Sequence, residues 1–327
     1  MAETRNAPTT PPAAGWPVGA AGIAAAAGVL HLAFVGRYGY FRDEFYYLAC
    51  GRRLDWGYVD HPPFVALVAR FAHGLFGDSF LAIRILPILA GSLTILLTGL
   101  LARELGGGRY AQTLAALCAA VAPHYLFVFH ILSMNAFEVL LWTAAALIAA
   151  RLLNGGDPRL WLLFGALCGV GLENKHSMAF FGIGVFVGLL LGRRWEALRN
   201  PWLWLGGLLA GLLFLPNLLW EVRHGWPTLE FARNAQAVKI VALTPLQFLG
   251  QQVMLLHPFT APVWIAGLGF LLLAPAGRRW RPLGWAYLVV LGIFLAQTAK
   301  AYYLTPYATI LFAAGAVAAG RLAERRG

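Results

Sequence analysis

Long apolar runs separated by short polar breaks dominate the chain, and ten of the runs read as helical membrane spans. They fall at roughly 17–36, 82–102, 111–129, 133–151, 160–173, 177–192, 201–220, 259–275, 283–298 and 304–320. A helix needs about 20 apolar residues to cross a bilayer. The runs at 160–173 and 177–192 are short for that, which suits tilted or partly re-entrant segments. The short alternating strands of a membrane barrel are absent. The expected fold is therefore all-α: an integral membrane bundle of about ten transmembrane helices. Phe64 to Phe76, with Arg70 and His73 inside it, is too short and too polar to cross. It suits a helix lying at the interface. Another amphipathic helix is expected near Pro245 to Leu256.

This pattern gives one membrane domain over 17–320. Its two long polar insertions are a first loop at 37–81 and a second at 221–258. Residues 1–16 are rich in Ala, Pro and Thr and are expected to form a disordered tail. Residues 321–327 form a second tail. The run after residue 16 lacks a basic leader and a cleavage site, so it reads as a retained first span rather than a cleaved signal.

Composition sharpens the class. The 327 residues are 60% hydrophobic with mean hydropathy +0.67, and only 12% are charged. Soluble domains carry about 25% charged residues. The net charge of +11 is explained by Arg at span ends near anionic headgroups. No basic stripe with stacking aromatics lies outside the spans, which excludes a nucleic-acid partner. Cys50, Cys118 and Cys168 have no disulfide or zinc spacing. No phosphate-binding glycine motif for a nucleotide is present.

Orientation follows from Lys and Arg in the loops. With the N-terminus inside, 14 basic residues lie inside and 11 outside, and six of the outer ones fall between Arg37 and Arg84. That first loop breaks the charge rule, so its cations are expected to serve a function.

The loop from Arg37 to Pro63 reads RYGYFRDEFYYLACGRRLDWGYVDHPP. Ionisable residues are expensive near a bilayer, and a cluster there marks a site. In a helix, Asp43, Tyr46 and Tyr47 share a face, with Glu44 on the neighbouring one. A carboxylate beside aromatic rings has a raised proton affinity, which suits a general base. An equally good reading is that Asp43 pairs with Arg42 or Arg37 and anchors the loop. Asp60-His61-Pro62-Pro63 is an extended turn that aims two polar side chains, or caps a helix. Asp60, His61 and His257 are the candidate ligands for a divalent metal ion, though the signal is weak.

The remaining polar material lies on the same expected side. Arg84 at a span end could meet a lipid phosphate or merely snorkel. Asn135 and Glu138 open a span on one helix face, and Glu138 is the only acid in a long apolar run. Lys175 in the Glu173–His176 turn and Lys300 before Tyr302 and Tyr303 are isolated cations. They suit either an anionic headgroup or interface anchoring. His224, Trp226 and His257 lie in the second long loop and say little alone.

RDEFYYL, GYVDHPPFVALV and AIRILPILAG resemble the N-terminal half of the family 39 glycosyltransferases. These are the protein O-mannosyltransferase-like enzymes of GT-C fold, with the aminoarabinose transferases among them. SMNAFEVLLW, LENKHS, PNLLWEVRHGWPTLEF and KAYYLTPYATILFAAGA are similar to the bacterial branch. The resemblance implies transfer of a sugar from a polyprenyl-phosphate carrier, such as undecaprenyl phosphate, to an acceptor on the extracytoplasmic side of the inner membrane. It makes Asp43 the catalytic base. It puts Asp60-His61 where the aminoarabinose transferases have an acid-Lys pair that meets metal and lipid phosphate. His61 departs from that Lys, with Lys175 or Lys300 to compensate. Asn135 stands where many members have an acid, with Glu138 to replace it. Family members usually continue well past this chain's last residue. The expectation is a short member, a fragment, or a partner chain that supplies acceptor recognition.

Physical chemistry asks for the same parts. A leaving polyprenyl phosphate needs fixed cations, for which Arg84, Lys175 and Lys300 are the candidates. Direct displacement needs only the base. A covalent route would need a second carboxylate, and Glu44 is the nearest. The competing classes are a non-catalytic polyprenyl-lipid-binding assembly partner and a lipid or solute transporter. The transporter predicts charges deep in spans and internal repeats, and the sequence shows neither.

Overall fold

The computed structural model describes residues 17–77, 79–238 and 243–325, with no side-chain description at 238. The expected tail at 1–16 lies outside the described residues, as do Arg326 and Gly327. All regular elements among the described residues are helical. In order they are α1 (Val18–Phe34), α2 (Arg42–Arg52), α3 (Phe64–Phe76), α4 (Phe80–Glu104), α5 (Arg109–Val121) and α6 (Pro123–Val128). Next come α7 (Met134–Leu153), α8 (Leu160–Asn174), α9 (Met178–Leu191), α10 (Trp195–Arg199) and α11 (Pro201–Arg223). The chain closes with α12 (Pro227–Val238), α13 (Pro245–Leu256), α14 (Ala261–Leu272), α15 (Arg281–Ala296) and α16 (Ala308–Glu324).

The helical membrane bundle expected from the sequence is what the structure shows, with a difference in lengths. All ten apolar runs are helical, but among the described residues four helical stretches are long and apolar enough to cross alone: α4, α7, α11 and Ala301–Glu324. The run expected at 111–129 is broken into α5 and α6. Pro123 biases Ala122 away from helical geometry, and Ala122 sits at φ −65°, ψ 119°. Helices α13 and α14 make a fifth, bent candidate with a 100° angle at His257, whose φ is +79°.

Small residues set how closely the helices approach. A Cβ on Gly315 of α16 would run into the carbonyl oxygen of Val263 in α14, and one on Gly267 of α14 would strike Leu311. The α8–α11 seam has the same character at Gly165 and Gly206. Such contacts are how membrane helices gain packing where lipid tails remove the hydrophobic drive. Helix α16 is the centre, with Ala313, Ala314, Gly315 and Ala316 buried. Helix α11 is peripheral and turns Leu205, Leu208, Leu212 and Leu219 outward.

The first loop folds as α2 and α3. Helix α3 buries Val65, Ala66, Ala69 and Ala72 and exposes Leu67, Phe71, Leu75 and Phe76. Small residues inward and large apolar ones outward fit a helix embedded at the interface. The helix expected near Pro245 is α13, opened by a Thr244–Gln247 capping box and burying Phe248, Gln252 and Leu256 at i, i+4, i+8.

Candidate active site

Arg84 and Glu44 hold the first loop against the bundle. Both side chains are fully buried. The Arg84 fork donates from Nε to Glu44 Oε1 at 2.9 Å and from Nη2 to Oε2 at 2.7 Å. Its other N–H groups reach Val35 O, Tyr38 O and Gly39 O at 2.8–3.1 Å. Glu44 in turn accepts from Leu132 N at 3.0 Å and Phe41 N at 2.8 Å. Every guanidinium donor is committed, and each carboxylate oxygen has two donors. This corrects two expectations. Arg84 has no donor left for a lipid phosphate, and Glu44 has no free lone pair for a nucleophile. The pair is a staple fixing where α2 stands.

Helix α2 presents Asp43 beside Tyr46 and Tyr47, the face expected from their spacing. Asp43 is partly exposed, and Arg42 Nε lies 3.1 Å from its Oδ1, the anchoring contact considered above. That pair is open to solvent and worth little. Tyr46 donates to Asp60 Oδ1 at 2.6 Å. Burial, then the bond to Asp60, raises the Tyr46 pKa, so the phenol stays protonated. Buried Tyr47 senses the charges of both Asp43 and Asp60.

His61 is 1% exposed and boxed by aromatic rings: Tyr58 stacked at 4.7 Å, Tyr47 at 5.2 Å and Tyr46 at 5.3 Å. Its Nδ1 lies 2.7 Å from the Pro62 carbonyl, which can only accept, so that nitrogen carries the proton. Burial lowers the His61 pKa and keeps the ring neutral. Among the described residues, no three His, Cys, Asp or Glu side chains converge as a metal site. His257 instead turns its Nδ1 to Phe259 N at 3.3 Å, at the α13–α14 bend. Asp60, His61 and His257 therefore do not converge as the metal set expected from the sequence.

The second cluster comes from three distant segments. Glu138 on α7 is buried and accepts from Lys175 Nζ at 2.6 Å and from the Ser177 hydroxyl. Lys175 also donates to Asn135 Oδ1 at 2.8 Å. The ammonium lies over the Tyr303 ring at 4.6 Å and the Tyr302 ring at 5.5 Å. Lys300 Nζ stands 6.0 Å from the Tyr302 ring. Both tyrosines sit on the 3₁₀ turn Ala301–Tyr307. Tyr125 of α6 fixes that turn by donating to Thr305 O at 2.7 Å, and Gln252 of α13 by donating to Ala301 O at 2.6 Å. Tyr302 lies within electrostatic reach of both Glu138 and Tyr47. Tyr47 and Tyr302 thus sense each other between the Asp43–Asp60 side and the Lys175–Lys300 side.

The structure brings together Asp43, Asp60, His61, Glu138, Lys175, Lys300, Tyr302 and Tyr303, and it withdraws Arg84 and Glu44 into the frame. The sequence reading missed Ser177, which shares Glu138, and Asn217. Asn217 is fully buried, accepts from His176 Nε2 at 3.0 Å and donates to Trp56 O at 2.8 Å. The available signal was one Asn inside the apolar run of α11.

This is the architecture of a GT-C membrane protein. Residues 60–220 match the family model described as dolichyl-phosphate-mannose-protein mannosyltransferase. ArnT from Cupriavidus metallidurans bound to undecaprenyl phosphate superposes with TM-score 0.73 at 22% identity, over 96% of this chain and 61% of ArnT. The apo form gives 0.72 at 21% identity, over the same shares. The Archaeoglobus fulgidus oligosaccharyltransferase, tethered with an acceptor peptide, gives 0.61 at 13% identity, over 95% of this chain and 50% of that one. No curated protein sequence matches the chain. The GT-C fold is thereby shown, and the family resemblance read from the motifs is supported by the mannosyltransferase match. The chain spans about 61% of the length of the ArnT structures it matches.

Proposed function

We propose that the protein is a membrane glycosyltransferase that moves a sugar from a polyprenyl phosphate to an acceptor hydroxyl on the extracytoplasmic side. The observation that carries this reading is Lys175. It is a nearly buried ammonium framed by Glu138, Asn135 and two tyrosine rings. The ArnT structure with undecaprenyl phosphate supports the carrier class. The excess of Lys and Arg in the other loops supports the orientation.

In this reaction the acceptor oxygen attacks the anomeric carbon, and Asp43 takes the hydroxyl proton as the new bond forms. The bond from anomeric carbon to phosphate oxygen breaks, and its electron pair leaves with the carrier phosphate. Lys175 and Lys300 stabilise the charge that develops there. The ring faces of Tyr302 and Tyr303 hold the Lys175 ammonium, and Tyr302 also lies beside Lys300. Asp60 and His61 line the sugar side, with Asp60 held by Tyr46. A single displacement inverts the anomeric centre, and no second carboxylate nucleophile is required.

The test uses purified protein in lipid with undecaprenyl-phosphate sugars and an acceptor extract. Wild type turns over the donor. Asp43→Asn lowers turnover by about 10²–10⁴-fold without changing the melting temperature. Undiminished turnover in that variant removes Asp43 from its role. Carrier binding without sugar release by the wild type favours the non-catalytic partner.

A further inference from the structure

Five arginines converge where the far end of α9 meets the start of α15. Arg193 and Arg194 follow α9, while Arg278, Arg279 and Arg281 lie on the 3₁₀ turn Pro275–Trp280 and the first residue of α15. Glycines bring the two helices together. A Cβ on Gly188 would overlap the Pro282 carbonyl oxygen, and one on Gly192 would lie 2.8 Å from Pro282 Cγ. At this junction Arg194 Nη2 donates to the Arg279 carbonyl at 2.7 Å, which holds one cation on the backbone of another. Burial, then the charge of Arg279, lowers the Arg194 pKa; Glu196 opposes the shift and Arg278 adds to it. Among the described residues, no carboxylate forms an ion pair with any of the five. Nε of Arg281 is buried without a hydrogen-bond partner.

The end of α9 is shaped to present its pair. Arg193 N bonds Leu190 O at 3.0 Å and Arg194 N bonds Leu189 O at 2.9 Å, a Schellman closure with Arg193 in the left-handed region at φ +54°. Glycine suits that position, and an arginine there carries backbone strain. Helix α9 begins three residues after Lys175, so its 14 residues put the cluster about 20 Å of helix away from the candidate active site.

Like charges packed this way repel unless an anion lies among them. A guanidinium brings five donors and no acceptor, and Arg194 spends one on Arg279. A phosphate takes such forks two N–H groups at a time. Leu191, Trp195 and Leu273, close by in sequence, are exposed. Cations beside open apolar surface and an indole belong at the level of lipid headgroups. Free phosphate or a soluble acidic partner would leave that apolar surface uncovered.

We infer that this junction is a binding site for an anionic phospholipid, whose phosphate lies between Arg194 and Arg279 and whose acyl chains cover the apolar surface beside them. The lipid neutralises the cluster and ties the end of α9 to the start of α15. Lys175 precedes α9 and Lys300 follows α15, so the lipid braces the frame of the candidate site from its opposite end. The inference stands whether or not the protein transfers a sugar.

The test titrates phosphatidylglycerol into the delipidated full chain in neutral detergent and follows the melting temperature. Wild type shows a saturable rise of about 5 °C, absent with phosphatidylcholine. Arg194→Gln with Arg279→Gln raises the half-saturating concentration at least about tenfold. Arg103→Gln with Arg325→Gln, an equal loss of charge away from the junction, changes it by less than about twofold. Arg193→Gly removes strain and a cation together: it melts above wild type without lipid and rises less with it. An equal rise with phosphatidylcholine, no rise in wild type, or an equal loss in the Arg103–Arg325 control overturns the inference. So does an equal rise with inorganic phosphate or undecaprenyl phosphate that the Arg194–Arg279 variant loses, because the site would then read phosphate from another source. If the double glutamine variant fails to fold, Arg193→Gly decides, and an undiminished response to phosphatidylglycerol in it overturns the inference.

Discussion

Replacing Arg84 by Ala tests the division between frame and chemistry. In the folded protein its guanidinium touches only protein: Glu44 twice and three backbone carbonyls. Removing it strands a fully buried carboxylate, which costs about 3–5 kcal/mol. Truncating both partners, as Glu44→Leu with Arg84→Leu, would be nearly neutral for an isolated pair. Here it is not. Phe41 N and Leu132 N lose their acceptor, while Val35, Tyr38 and Gly39 lose their donor. At about 0.5–1.5 kcal/mol for each of these five lost bonds, the double variant stays about 2.5–7.5 kcal/mol below wild type. The assay is thermal unfolding in detergent with limited proteolysis across 37–61. Both variants melt roughly 5–10 °C lower and are cut sooner in the loop. An Arg84→Ala protein with wild-type melting but lost carrier binding would refute the reasoning and return Arg84 to the phosphate.

Three other outcomes follow from the same geometry. Lys175→Met strands buried Glu138 and lowers stability by about 3–5 kcal/mol; adding Glu138→Gln restores melting but not carrier affinity, as binding assays on the double variant will show. The folded-state pKa of His61 lies below its unfolded value of about 6.5, so the unfolded chain binds the extra proton first and stability falls as pH drops below that value. Melting curves from pH 8 to 5 should show a shallower acid loss for His61→Gln than for wild type. Gly315→Ala forces α16 away from the Val263 carbonyl and should lower the melting temperature, whereas Gly269→Ala, with open space around it, should not.

Much of the bundle was legible because lipid imposes a simple code of apolar runs and polar breaks. The break at Pro123 was hidden because the apolar run continues across it, although the proline alone removes an N–H and turns Ala122 extended. Glu138 and Lys175 stood out as charges with no local partner, and that isolation is why they meet. Arg84 and Glu44 looked like surface chemistry because each sits near the end of an apolar stretch. Their mutual saturation depends on a fork geometry across 40 residues that spacing does not reveal.

The setting of Lys175 has a kinetic consequence for the proposed transfer. Two of its three N–H bonds already belong to Glu138 and Asn135, leaving one direction for an incoming phosphate. An intact sugar phosphodiester, with a single diffuse negative charge, gains little from such a partly engaged ammonium. A departing phosphate monoester concentrates charge on the oxygen it keeps and draws that ammonium harder. The grip therefore tightens along the reaction coordinate instead of at docking, which is where binding accelerates chemistry rather than merely saturating the enzyme.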